Sequence, residues 1–204
     1  MRLDVQMVAL GLAQTRNKAQ QAIKDGLVTV NRKPVTKAGY EVADTDEIQL
    51  ADTPETKYVS RSYEKLRHAL DTFHVNCKDK VVLDIGASTG GFTQCVLDRN
   101  AAYSYACDVG TGQLHSSLRI HPKVENREGV NCRYLKKEDF EKTIDLVVMD
   151  VSFISCTKMF EAISAVLLPG KEAIVLIKPQ FELGPKELNK HGVVKNLEKK
   201  TESL

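Results

Sequence analysis

Residues 81–92 read Val81-Val-Leu-Asp84-Ile-Gly86-Ala87-Ser88-Thr89-Gly90-Gly91-Phe92, and the reading of this stretch decides the fold. An apolar run carries a carboxylate, a glycine-rich turn follows, and residues 92–97 have helical character, so the order predicted is strand, tight loop, helix. Glycines let the backbone approach a ligand closely, and such a loop lies at the carboxyl end of a parallel strand, where open α/β sheets bind nucleotides. The spacing of Gly86, Gly90 and Gly91 is not G-x-G-x-x-G, and no G-x-x-x-x-G-K-[ST] loop occurs, which argues against a pyrophosphate ligand. Asp84 precedes the loop, and Asp108 closes the next apolar run, where a carboxylate can accept both hydroxyls of an adenosine ribose. A carboxylate-flanked glycine loop without phosphate-binding features suits S-adenosylmethionine, a cationic nucleoside with no phosphate. The plainer alternative is a structural turn.

The chain of 204 residues can hold one medium domain and a small one. Its 42% hydrophobic and 27% charged residues are those of an ordinary globular protein. No apolar run has membrane-spanning length, and Met1-Arg2-Leu3-Asp4 has no signal-peptide core, which predicts a cytoplasmic protein without membrane partners. Cys77, Cys95, Cys107, Cys132 and Cys156 are scattered and odd in number, which predicts reduced, mostly buried thiols. His115 and His121 lack a metal-ligand constellation, so no metal is expected.

The net charge of +2 hides an asymmetry. Residues 1–40 carry seven basic and two acidic groups, a local charge of +5, and residues 41–50 carry four acids and no base. Local positive charge is the footprint of nucleic-acid binding, with a merely solubilising face as the alternative. Residues 1–24 read as two short helices. Leu3, Val5, Val8, Ala9 and Leu12 form a stripe, Gly11 ends the first helix, and Thr15 caps a second over 16–24. Leu27–Val30 reads as a strand, Asn31–Pro34 as a basic turn, and Ile48–Leu50 as the strand that closes a small sheet.

This layout resembles the S4 RNA-binding domain over residues 1–50, on Arg2-Leu3-Asp4, Thr15-Arg16-x-x-Ala19, Ile23, Gly26-x-Val28-x-Val30-Asn31 and Lys37-x-Gly39. The resemblance implies RNA contacts from Arg2, Arg16, Lys18, Gln21, Arg32 and Lys33.

Residues 51–59 are polar with one proline and predict a linker. A helix begins near Ser60, with Leu66, Ala69, Leu70 and Phe73 as its buried face. Strands are expected at Val81–Ile85, Tyr103–Val109, Leu146–Asp150 and Ile174–Ile177, alternating with helices. The fold class is therefore α/β, a doubly wound, mostly parallel sheet over residues 60–204, preceded by a small α+β domain.

Asp150 and Lys178 end two of these strands beside the glycine loop, where an ion pair is either structural or catalytic. Methyl transfer to a ribose hydroxyl needs a base or a strong positioning network, and Lys65 with Lys178, held by Asp150, can supply one. Other acceptors fit less well. Asp150-Val151-Ser152-Phe153 lacks the prolines of amino-group methyltransferases, and Cys156 lacks the proline partner of carbon-5 methyltransferases.

Taken whole, the sequence resembles the TlyA family, in which an S4 domain precedes an FtsJ-like 2′-O-methyltransferase domain that modifies ribosomal RNA and which often bears the label hemolysin. The segments that carry the resemblance are Ser60-Arg61, Lys65-Leu66-x-His68-Ala69-Leu70, Asp84 to Thr93, Asp108-Val-Gly110-x-Gly112-Gln113-Leu114, Asp150 to Ser155, Lys178 to Glu182 and His191-Gly192-Val-Val194.

The resemblance implies S-adenosylmethionine as cofactor, held by Asp84, Gly86, Ala87, Ser88, Thr89, Gly90, Gly91, Phe92, Asp108 and Asp150. It implies Lys65, Asp150 and Lys178 as catalytic residues and ribosomal RNA or ribosomal subunits as partner. Arg61-Ser-Tyr-Glu-Lys65 departs from the family's Arg-Gly-Gly-x-Lys. The family's fourth catalytic residue lies in a late Gly-Asn-x-Glu-like segment that these 204 residues do not contain, and Glu182 is not its counterpart. The resemblance thus predicts an unpaired edge beyond Ile174–Ile177, and keeps a non-catalytic RNA or ribosome binder as the second reading. A lytic protein is disfavoured by the absence of a strongly amphipathic cationic helix.

Overall fold

Apolar segments too short for buried helices become strands here because glycines and polar turns punctuate them. The computed structural model describes residues 1–13, 15–51, 53, 57–183, 185–189, 192–194 and 201. His191 and part of the expected linker (52 and 54–56) lie outside the described residues. Two compact units result, Met1–Tyr58 and Val59–Leu204.

In the first unit, α1 (Leu3–Ala9) and α2 (Arg16–Lys24) precede a three-stranded antiparallel sheet of β1 (Val28–Val30), β2 (Lys33–Pro34) and β3 (Ile48–Leu50), in the order β2-β1-β3. The Thr15 hydroxyl caps α2 by accepting from the Lys18 N–H. The expected stripe on α1 needs correction. Leu3, Asp4 and Met7 are its buried residues, whereas Val5 is exposed. An ionised side chain thus occupies a core-facing position. Leu3 and Met7 pack with Ala19, Ile23, Val28 and Val30.

The second unit contains α3 (Ser62–Thr72), β4 (Val81–Ile85), α4 (Gly91–Asp98), β5 (Tyr103–Asp108), α5 (Ser116–Arg119), β6 (Val124–Glu128), β7 (Ile144–Met149), α6 (Phe160–Val166), β8 (Leu167–Val175) and α7 (Pro179–Glu182). All five strands run parallel in the order β6-β5-β4-β7-β8. This is a Rossmann-like sheet, and its strand order reverses at β4, so the crevice between the carboxyl ends of β4 and β7 is the expected ligand site. Leu83, Ile85, Tyr105, Cys107, Val147 and Met149 face one core with α6, while Val82 and Asp84 alternate to the other side.

Three sequence expectations fail in detail. Phe73 is exposed rather than buried, because α3 ends at Thr72 and His74 turns the chain through a left-handed φ of 55°. β6 was not foreseen. β8 begins seven residues before Ile174 and ends at Val175. Its ladder with β7 jumps from Leu167 to Glu172 around Gly170, a bulge that disguises the strand as a turn. All five cysteines are free and buried, as expected.

Gly90 stands at φ 94°, and a Cβ there would lie 2.3 Å from Leu118 Cδ1 and 2.9 Å from Leu114 Cδ1. Gly90→Ala is therefore expected to destabilise the second unit by about 2 kcal/mol or more, through backbone strain and overpacking. Urea denaturation measures this, and an unchanged midpoint would refute the constraint.

Candidate active site

The crevice at the reversal of strand order contains a cavity of about 160 Å³ lined by Ser60, Ser62, Gly86, Ala87, Ser88, Phe92, Asp150, Ser152 and Lys178. Each stretch arrives for a local reason. Gly86 takes φ 82° and passes so close to β7 that a Cβ would sit 2.8 Å from the Asp150 carbonyl oxygen. The Gly86 and Ala87 N–H groups donate to the Cys107 carbonyl at 2.9 and 3.0 Å, and the Asp150 N–H donates to the Ile85 carbonyl at 3.1 Å. The first turn after β4 is thereby fixed to both neighbouring strands.

Asp150 emerges from β7 between two lysines. Lys65 Nζ, on α3, lies 3.1 Å from Asp150 Oδ2, and Lys178 Nζ pairs with Asp150 Oδ1 while donating to Ser152 Oγ at 2.7 Å. Lys178 is 17% exposed and Lys65 is 49% exposed, so one ammonium is nearly enclosed and the other reaches solvent. The three side chains named from the sequence as catalytic are thus brought to one point.

The residues named for the cofactor divide. Gly86, Ala87, Ser88, Phe92 and Asp150 line the cavity, whereas Asp84, Thr89, Gly90, Gly91 and Asp108 do not. Asp84 is fully buried and accepts from the Thr93 hydroxyl at 2.6 Å, leaving its Oδ1 without a hydrogen-bond partner among the described residues. Burial pushes its carboxyl up to about 7, the Thr93 hydroxyl and N–H opposing and Asp150 and Asp108 adding. Asp84 therefore ties β4 to the first turn of α4. Gly90 is filled against Leu114 and Leu118, Gly91 opens α4, and the Thr89 carbonyl accepts the His115 N–H. Asp108 accepts the Ser88 N–H at 2.8 Å and the Gly110 N–H at 2.7 Å, one on each oxygen, so it clamps the two loops flanking the crevice.

Several contributors escaped sequence reasoning. Ser60, Ser62 and Ser152 line the cavity with hydroxyls, and their only signal was proximity to Lys65 and Asp150. Glu128 accepts the Gln113 and Leu114 N–H groups at 2.5 and 2.9 Å and pairs with Arg119, holding the loop that follows Asp108. Glu182 accepts the Cys156 N–H at 2.8 Å and the Ser155 hydroxyl at 2.5 Å, so it caps the short helix 156–159. Phe153 is 92% exposed at φ 64°, its ring 5.4 Å from that of Phe181. Cys156 is buried and its thiol is pushed up by that burial and by Glu182, which unfits it as a nucleophile.

Of the residues named for RNA, Arg32 and Lys33 are exposed in the turn before and at the start of β2, and Lys18 is exposed on α2. Gln21 donates to Asp25 at 2.7 Å. Arg2 and Arg16 are exposed and both pair with Asp4, at 3.0 and 2.8 Å.

Residues 58–202 match the model of the FtsJ-like methyltransferase family, and residues 1–48 match that of the S4 domain. The chain is 40% identical over 193 residues to the 16S/23S rRNA (cytidine-2′-O)-methyltransferase TlyA of Mycobacterium tuberculosis, covering 95% of this chain and 72% of that protein. It is 41% identical over 197 residues to hemolysin A of Brachyspira hyodysenteriae, covering 96% and 81%. A solved candidate hemolysin from Streptococcus thermophilus superposes with a TM-score of 0.73 at 36% identity, over 100% of this chain and 74% of that one. No helix among the described residues is long and apolar enough to cross a membrane.

The raised Asp84 carboxyl has a pH consequence. An unfolded chain releases this proton near 3.8, whereas the folded chain keeps it to about 7. Between those values the folded state holds more protons, so this group's contribution to stability falls as pH rises from about 4 to 7. Asp84→Asn is expected to flatten the slope of urea midpoint against pH in that window. An identical slope in the variant would assign the titration elsewhere.

Proposed function

Because the chain belongs to the FtsJ-like methyltransferase family and begins with an S4 domain, we propose that it methylates a ribose 2′-hydroxyl of ribosomal RNA, using S-adenosylmethionine, with the RNA held by the S4 domain. The observation that carries this reading is Asp150 flanked by Lys65 and Lys178 at the rim of the crevice. Two ammonium groups share one carboxylate, so the cluster keeps a net positive charge. A ribose hydroxyl develops negative charge as its oxygen takes the methyl group and its proton leaves to water, and a preorganised cation in a partly desolvated site stabilises that charge far better than water does. Lys178, fixed by Asp150 and Ser152, is placed to meet the hydroxyl, and Lys65 reinforces the field from the solvent side.

The chain's residues fit the cofactor. The close passage at Gly86 leaves the crevice open to backbone approach, and the lining offers hydroxyls, a carboxylate and, from Lys178, an ammonium. Gly86, Ala87, Ser88, Phe92 and Asp150 would hold S-adenosylmethionine, which supplies an electrophilic methyl group when bound. Asp84, whose Oδ1 has no hydrogen-bond partner among the described residues, would hold α4 against β4 beneath this site, and Asp108 would brace the loops around it. Phe153, exposed beside this rim and tilted against Phe181, offers a ring face on which an unstacked base can lie. The inert Cys156 argues against carbon-5 chemistry.

Lys178→Met is expected to lower transfer of labelled methyl from S-adenosylmethionine to ribosomal subunits by about 100-fold or more. Calorimetric binding of S-adenosylmethionine should persist, and methylated sites in the wild-type reaction should resist alkaline cleavage, as 2′-O-methyl linkages do. Transfer within a few-fold of wild type would remove Lys178 from the chemistry, and alkali-labile product would exclude the ribose as acceptor.

A further inference from the structure

The first unit contains a buried charge that methyl transfer does not use. Asp4 is 0% exposed on the core side of α1, where a carboxylate without partners is costly. Arg2 donates through Nε to Oδ1 (3.0 Å) and through Nη2 to Oδ2 (3.1 Å), and Arg16 Nε (2.8 Å) and Gln20 Nε2 (2.6 Å) also donate to Oδ2. These bonds, that from Arg2 foremost, hold the Asp4 carboxyl well below the usual range against the opposing effect of burial. Yet both guanidinium side chains stay half exposed, at 47% and 53%. Two cations are therefore anchored on one hidden anion while each keeps an accessible surface, and the cluster carries a net positive charge.

Stability alone gives a poor account of this arrangement, since a buried ion pair is often no better than an apolar replacement. What it does provide is orientation. A guanidinium is a planar fork that recognises phosphate oxygens directionally, and a fork already fixed loses less freedom when it binds. We infer that Asp4 is a positioning residue that sets Arg2 and Arg16 as a two-guanidinium clamp for a phosphodiester of the bound RNA. The inference rests on the RNA-binding reading above and adds a residue whose charge alone would oppose RNA.

That opposition fixes the sign of the test. Anisotropy of a fluorescein-labelled RNA hairpin is titrated with the full chain, its Asp4→Asn variant and its Arg16→Lys variant, with urea denaturation of each protein in parallel. Asp4→Asn raises the net charge by one, so simple electrostatics predicts tighter binding. The clamp predicts binding about tenfold weaker, the loss of an oriented charge-assisted contact. Arg16→Lys keeps the charge but has no fork to divide between Asp4 and a phosphate, and it is expected to lose about the same factor. A folded Asp4→Asn that binds as well as wild type or better overturns the inference. Should Asp4→Asn not fold, Arg16→Lys decides in the same way, wild-type affinity overturning the clamp. A wild-type chain that does not bind the hairpin overturns the RNA reading itself, an outcome distinct from any change among the variants.

Discussion

The backbone at Gly86 and the carbonyl of Asp150 come together at a distance that no side chain on residue 86 would allow. This contact joins the ends of β4 and β7 where the strand order reverses, the one place in such a sheet where two loops diverge and leave a crevice. The Gly86 and Ala87 amides are fixed to β5 and the Asp150 amide to β4, so the crevice walls are hydrogen-bonded to the sheet itself. Asp150 inherits that rigidity, so the two lysines that reach it from α3 and from the end of β8 meet a stationary anion. Preorganisation of this kind lets electrostatic stabilisation act without reorganisation at the moment of reaction.

Carboxylates perform much of the remaining construction. Asp108 ties the loop after β4 to the loop after β5, and Glu128 ties the latter to β6. Glu182 reaches back from α7 to hold the start of the helix 156–159, and Asp145 accepts the Val81 N–H at the amino ends of β4 and β7. In each case a charged acceptor takes N–H groups of a loop, a helix start or a strand start, and such charge-assisted bonds are stronger than neutral ones. Asp84 differs: with one hydroxyl, one amide and no cation beside it among the described residues, burial holds its carboxyl protonated up to about 7.

The sequence showed what depends on neighbours along the chain. The strand–loop–helix around Asp84, the capped α2 and the alternation of strands were legible because glycine spacing, a capping threonine and apolar runs are local signals. Asp150 and Lys178 were legible because both follow apolar runs. β6 was not, since Val-Glu-Asn-Arg-Glu has no apolar run and its residues are half-buried on both faces of an edge strand. β8 was half legible, since Ile174-Val175 belongs to an apolar run whereas Leu-Pro-Gly-Lys-Glu, where the ladder with β7 is irregular, does not. Asp84 and Asp108 were assigned to the cofactor by position, but their partners Thr93, Ser88 and Gly110 are set by tertiary packing. Asp4 was hidden for the same reason: an acid two residues from an arginine looks like surface until the helix is placed against its core.

Phe153 shows how the same constraints turn outward. A bulky residue in the left-handed region costs free energy, and a fully exposed ring gains little from burial to offset it. The segment that carries it is anchored on both sides, by the Asp150 amide on β4 and by Glu182 on Ser155 and Cys156, while Lys178 grips Ser152 just before it. Phe153 is therefore the apex of a taut loop whose conformation its surroundings impose, with Phe181 fixing the tilt of the ring. Strain that persists at a crevice rim is expected where the displayed group has a task, and a rigid apolar plate beside a lysine-flanked carboxylate suits an acceptor with a flat base and a neutral hydroxyl. The two features meet at Lys178, whose ammonium lies 5.9 Å from the Phe181 ring while it holds Ser152 and Asp150, so a movement of the aromatic pair would reach the Lys178–Asp150 pair.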